Sequence, residues 1–141
     1  MNESIETSLA GALRVRGQRV TPQRLAIARV LDDLDRHVTA EALFSEVSER
    51  LPGVSLPTVY ATLELLEQIG LVRRVSVAAG STVYDGRTDE HHHLICRRCG
   101  AIADVDAPVD PGELLTAARA NGFAADYAEV VVRGLCADCR P

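Results

Sequence analysis

All four cysteines of the chain fall in two C-x-x-C pairs, Cys96-Arg97-Arg98-Cys99 and Cys136-Ala137-Asp138-Cys139. Each pair follows a stretch that reads as a strand. A tight knuckle there turns two thiolates toward one point, and two knuckles make the closed tetrahedral set that structural Zn²⁺ prefers. Disulfides would use the same residues, but a reducing compartment disfavours them. A redox dithiol of the thioredoxin kind would explain one pair and leave the other idle.

Three of the four histidines form the tripeptide His91-His92-His93 just before the first knuckle. On a strand, His91 and His93 share one face and His92 takes the other, so two imidazoles converge. Asp85 and Asp104 lie close enough in sequence to add oxygen ligands, and His37 falls in the loop expected between two N-terminal helices. A mixed nitrogen and oxygen set without sulfur suits Fe²⁺ or Mn²⁺ better than a soft metal. A solvated histidine cluster is the plainer alternative.

The elements that must position these groups are legible from local signals. Thr21-Pro22 starts a helix, with Thr capping free N–H groups and Pro preset for the first turn; Leu25, Ile27, Ala28, Leu31 and Leu34 follow at helical spacing. Thr39 caps a second helix bearing Leu43, Val47 and Leu51, which ends at Pro52-Gly53. Ser55 caps a third, with Leu56, Val59, Leu63, Leu66 and Ile69 as its buried stripe and Gly70 as its stop. The segments LVRRVSV and STVYD are β-branched and separated by Ala-Ala-Gly, which reads as a hairpin. Three helices and a hairpin make a winged helix-turn-helix.

The polar run from Asp85 to Glu90 makes a hinge. Beyond it HLIC and AIADV read as strands, Pro111 to Asn121 as a helix and Phe123 to Arg133 as extended chain. The expected fold class is therefore α+β: a winged helix-turn-helix DNA-binding domain over residues 1–84, a hinge over 85–92 and a small α/β domain over 93–141. The second domain is too small to be secure without a staple, and metal bound by the cysteines would supply folding energy.

A net charge of −5 argues at first against nucleic acid as a partner. The distribution reverses this. All fifteen basic residues are Arg, and from Gly11 to Val30 there are five (Arg14, Arg16, Arg19, Arg24, Arg29) with no acid. Acids crowd instead around Asp32 to Asp35 and Asp104 to Glu113. A basic patch on an acidic body can bind DNA. The N-terminus lacks a basic segment followed by an apolar one, and no apolar run is long enough to span a bilayer, so the expectation is a cytoplasmic protein without membrane contact.

TVY at Thr58 to Tyr60 with L-x-x-L and IGLV behind it, then HHHLICRRCG, ADV and a closing CADC, resemble the ferric-uptake-regulator family over nearly the whole chain. The resemblance implies a homodimeric repressor with residues 93–141 as its dimerisation domain, structural zinc on Cys96, Cys99, Cys136 and Cys139, and a regulatory Fe²⁺ or Mn²⁺ on His37, Asp85, His91, His93 and Asp104. Iron-sensing members usually carry glutamates where this chain has Asp85 and Asp104, and the all-aspartate pattern resembles the peroxide-sensing branch. There, peroxide meeting ferrous iron oxidises a histidine ligand, by resemblance His37 or His91, and the metal leaves. A further outer metal site in some members needs a histidine before the last cysteine pair, and none follows His93.

For DNA, the expectation is that the helix from Ser55 to Ile69 enters the major groove of a palindromic operator, with Ser55, Thr58 and Tyr60 near bases or phosphates. Arg14, Arg16 and Arg19 would hold the backbone. Thr58 as part of the helix cap and Tyr60 as a partial core residue are the structural alternatives. Many members carry a basic residue after TVY, where this chain has Ala61, which puts the family's base contacts in doubt here. An enzyme is not expected: no H-E-x-x-H, Ser-His-Asp order or Gly-rich phosphate loop is present. An iron-responsive repressor of uptake genes is the alternative reading.

Overall fold

The computed structural model of the chain describes residues 3–34, 37–78 and 81–141. They divide into two compact units, Met1–Thr88 and Asp89–Pro141. The first holds helices α1 (Ile5–Val15), α2 (Pro22–Asp33), α3 (Ala40–Arg50) and α4 (Leu56–Gln68), with strands β1 (His37–Val38), β2 (Arg73–Ala78) and β3 (Ser81–Asp85). Each helix begins with a hydroxyl cap: Ser4, Thr21, Thr39 and Ser55 accept the N–H groups of Thr7, Arg24, Ala42 and Thr58. At the far end of α4, Gly70 takes a φ of 80°, and the Leu71 N–H returns to the Leu66 carbonyl at 2.8 Å. That left-handed turn is cheap only for glycine and sends the chain into the hairpin.

Helix α1 lies outside the three helices read from the sequence. Ser4, the first-turn Glu6 and the apolar pair Leu9 and Leu13 are nonetheless ordinary helix signals. Leu9 and Leu13 join Ile27, Leu43, Val47, Val59, Leu63 and Leu66 in a core from which water is fully excluded. A second difference concerns His37, which lies in strand β1 rather than in a loop. Two residues suffice to pair β1 with β3, so the three-stranded sheet runs β1-β3-β2.

The second unit holds β4 (His92–Cys96), β5 (Ile102–Val105), helix α5 (Gly112–Ala120) and β6 (Val131–Gly134). Its sheet runs β5-β4-β6, with β4 antiparallel to β5 and parallel to β6. Parallel pairing needs a crossover, which α5 supplies. The extended stretch expected from Phe123 onward reduces to β6, because only Val131–Gly134 meets β4; residues 123–130 take no regular structure. Among the described residues of this unit, those buried are Ile95, Cys96 and the three histidines. Helix α5 buries none of its side chains. Among the described residues, no helix is long and apolar enough to cross a membrane.

Leu63 lies fully buried in the apolar core of the first unit, so truncation there should differ from a swap that keeps its volume. Leu63→Ala should cost about 2–5 kcal/mol, read as a lower denaturant midpoint, whereas Leu63→Met should cost less than about 1.5 kcal/mol. Equal loss in both variants would show that shape rather than apolar volume governs the position.

Candidate metal sites and nucleic-acid interface

Strand register builds the first ligand pair. His37 stands directly opposite Asp85 across β1 and β3, so both side chains leave the same face of the sheet. The His37 Nε2 lies 3.3 Å from the Asp85 Oδ2. Asp85 is fully buried, and its other oxygen accepts the Arg87 N–H at 2.9 Å. A carboxylate withdrawn this far from water requires positive charge or strong donors around it.

The second unit repeats the device. His93 stands opposite Asp104 across β4 and β5. The Nε2 atoms of His91 and His93 approach to 3.1 Å, and the Asp104 Oδ1 lies 3.5 Å from the first and 3.6 Å from the second. His91 Nδ1 lies 2.8 Å from the Asp89 carbonyl oxygen. A carbonyl only accepts, so this bond fixes the proton on Nδ1 and leaves the Nε2 lone pair of the neutral ring facing His93 and Asp104. Such an outer hydrogen bond is how metal-ligating histidines are oriented. His92 points elsewhere, its Nδ1 accepting the Val130 N–H at 3.0 Å. Alternation along the strand thus brings His91 and His93 together, as expected.

Glu129 was not singled out from the sequence. Its Oε2 lies 3.8 Å from the Nδ1 of His93, on the side of the ring away from His91. It comes there because β6 runs beside β4, with Val131 opposite His93.

The four cysteine sulfurs all lie within 4.8 Å of one another, unlinked by disulfides. Cys99 and Cys136 are 3.7 Å apart; a tetrahedron of Zn–S bonds has edges of about 3.8 Å. The knuckles are braced by backbone bonds, from the Gly100 N–H to the Cys96 carbonyl and from the Arg140 N–H to the Cys136 carbonyl. Arg98 donates to the Cys139 carbonyl at 2.9 Å, which ties one knuckle to the other. The N–H groups of Cys99 and Cys136 pull the Cys96 thiol down to about 6, whereas the neighbouring Cys136 thiol and burial push Cys139 up to about 12. Four thiolates cannot coexist here without a cation to hold them, and the donor set fits zinc.

On the first unit, Arg14, Arg16 and Arg19 are all exposed. Arg24 donates to the Arg19 carbonyl at 2.8 Å and so shapes the turn between α1 and α2. Ser55 and Thr58 bond to each other at the start of α4, their hydroxyls 2.9 Å apart, so both are engaged in the cap. Tyr60 is 42% exposed, and its hydroxyl donates to Glu41 at 2.6 Å. The sequence gives no local sign of that pairing, because it depends on how α3 packs on α4.

The ferric uptake regulator family model matches residues 15–132. The chain is 42% identical over 131 residues to the transcriptional regulator FurA of Mycobacterium tuberculosis, covering 92% of this chain and 88% of that protein. It is 33% identical over 141 residues to the peroxide-responsive repressor PerR of Staphylococcus epidermidis, covering 99% and 93%. Among solved structures, the ferric uptake regulator of Pseudomonas aeruginosa with manganese superposes with a TM-score of 0.70 at 28% identity, covering 94% of this chain and 98% of that one.

The Tyr60 bond has a direct signature. The hydrogen bond to Glu41 holds the Tyr60 phenol above its ordinary value of 10.0 and the Glu41 carboxyl below 4.5. Glu41→Ala should therefore let Tyr60 ionise at lower pH, as followed by NMR of its ring carbons. An unchanged titration would mean that the bond does not persist in solution.

Proposed function

The chain belongs to the ferric uptake regulator family, and from that membership we propose that it is a peroxide-responsive repressor whose regulatory ligands are His37, Asp85, His91, His93 and Asp104. Its coarser character follows from the family: it is a metal-dependent transcriptional regulator and not an enzyme, and regulators of this family bind DNA as dimers. Zinc on Cys96, Cys99, Cys136 and Cys139 staples the second unit in this reading. Fe²⁺ or Mn²⁺ takes the histidines and aspartates.

The observation that carries the reading is the pair of His–Asp cross-strand neighbours, one in each unit, with aspartate as the carboxylate in both. Nitrogen and oxygen atoms crowded at 3.1–3.6 Å around His91, His93 and Asp104 suit a hard divalent cation. The whole-chain likeness to a peroxide-responsive repressor supports the sensing mode.

A metal shifts a conformational equilibrium only through differential affinity. In this reading the ligands come from both units, His37 and Asp85 from the first and His91, His93 and Asp104 from the second, and that division is the source of the differential affinity. In the proposed repressor the metal-bound form is the one in which two α4 helices of a dimer match successive major grooves of a palindromic operator, with Arg14, Arg16 and Arg19 on the phosphates. The second unit offers the surface for a partner copy: Leu114, Phe123 and Tyr127 line one shallow depression and are 61%, 69% and 50% exposed. A patch of that character on a unit with so small a core calls for cover.

His37, Asp85, His91, His93 and Asp104 would hold the regulatory metal, and ferrous iron bound there would supply the redox chemistry that makes hydrogen peroxide reactive toward a neighbouring imidazole. The chain's part is to hold His37 and His91 within reach and to lose ligands when either ring is altered. The repressor then leaves DNA in the cytosol.

Operator binding by the Fe²⁺ form should be lost at micromolar-scale peroxide while the Mn²⁺ form keeps it, and mass spectrometry should find one added oxygen on the peptide containing His37 or His91. Iron-dependent binding with unmodified histidines would make the chain an iron-responsive repressor instead.

A further inference from the structure

Helix α4 carries no arginine or lysine, and its residues include Glu64 and Glu67. Its exposed strip consists of Pro57, Tyr60, Ala61, Glu64 and Gln68. The commonest base contact in the major groove, a cation bidentate to guanine O6 and N7, is thus absent from this helix. Whatever it reads, it reads with other chemistry.

Tyr60 and Glu41 define that chemistry. Glu41 sits in the first turn of α3 and is exposed; Tyr60 projects from the exposed strip of α4 and gives its only proton to the Glu41 carboxylate at 2.6 Å. The same bond holds the Glu41 carboxyl below and the Tyr60 phenol above their ordinary values. With the proton committed, the phenol oxygen offers only lone pairs, and a carboxylate never donates. The pair therefore presents acceptors alone.

Phosphate oxygens, guanine O6 and N7, and thymine O4 are acceptors and gain nothing from it. The donors on major-groove edges are the exocyclic amines, N6 of adenine and N4 of cytosine. We propose that Glu41 and Tyr60 act together as a base-reading pair that selects an amine-bearing base, adenine or cytosine, at one position of each operator half-site, with Glu41 as the residue that fixes the hydrogen-bond polarity of Tyr60. This rests on the reading of the chain as a DNA-binding repressor with α4 in the groove.

The test is sequence selection from a randomised double-stranded library by the full-length Mn²⁺-loaded protein, in wild-type, Tyr60→Phe and Glu41→Ala forms. Thermal melting establishes that the variants fold; both side chains are exposed. Wild type should enrich adenine or cytosine at one position per half-site, and sequencing tells which. Both variants should lower that preference on the order of tenfold and leave the other positions as they were. They should also differ from each other: in Glu41→Ala the phenol is free to donate, so thymine or guanine rises at that position, whereas in Tyr60→Phe no base replaces the lost one. Unchanged preferences in both variants, or a uniform weakening across the site, overturn the pair while leaving the repressor standing. If wild type with metal enriches no sequence at all, the repressor reading falls, and the pair with it.

Discussion

In each of the two units an antiparallel ladder sets a histidine opposite an aspartate, His37 against Asp85 and His93 against Asp104. Side chains alternate with a period of two, so a slip of one residue in either ladder would turn a histidine or its aspartate to the wrong face. Ligand geometry is thus inherited from backbone hydrogen bonding, which is stiff, rather than from loops. The helices, caps and hairpin of the first unit matter to the proposed metal site because they hold β1 and β3 in that register.

The units achieve this by different means. In the first, Leu9, Leu13, Leu43, Leu63 and Leu66 supply an apolar core, and the sheet rests on it. The second buries few apolar side chains beyond Ile95, so its order depends on the four cysteines and on cover for Leu114, Phe123 and Tyr127. Cys96 ends β4 and stands opposite Gly134 of β6, two residues before Cys136. A cation on the cysteines therefore pins β4 to β6, the same pairing that aligns His93 with Val131 and brings Glu129 beside it. The proposed staple and the proposed sensor share one strand.

Much of this was readable from residue order. The two C-x-x-C pairs, the hydroxyl caps, the Leu and Val stripes and the alternation of His91 and His93 are local signals, and each is reproduced in the fold. What escaped was either short or non-local. Strand β1 has only two residues, too few for any periodicity, so His37 read as loop. Glu129 reaches His93 through a parallel pairing bridged by α5, and Glu41 meets Tyr60 through packing of α3 on α4; neither leaves a trace in spacing. Helix α1 is the opposite case, since Ser4, Glu6, Leu9 and Leu13 announce it and the charged stretch behind it drew the reading elsewhere.

The proposal that His37, Asp85, His91, His93 and Asp104 act as one regulatory ligand set is tested most directly by titrating Mn²⁺ against operator retardation in wild type, His37→Ala and Asp104→Ala. Shared coordination predicts that metal tightens wild-type binding on the order of tenfold or more, and that both substitutions, one in each unit, abolish the response while the zinc content stays unchanged. A His37→Ala protein that still responds to Mn²⁺ as wild type does would contradict it.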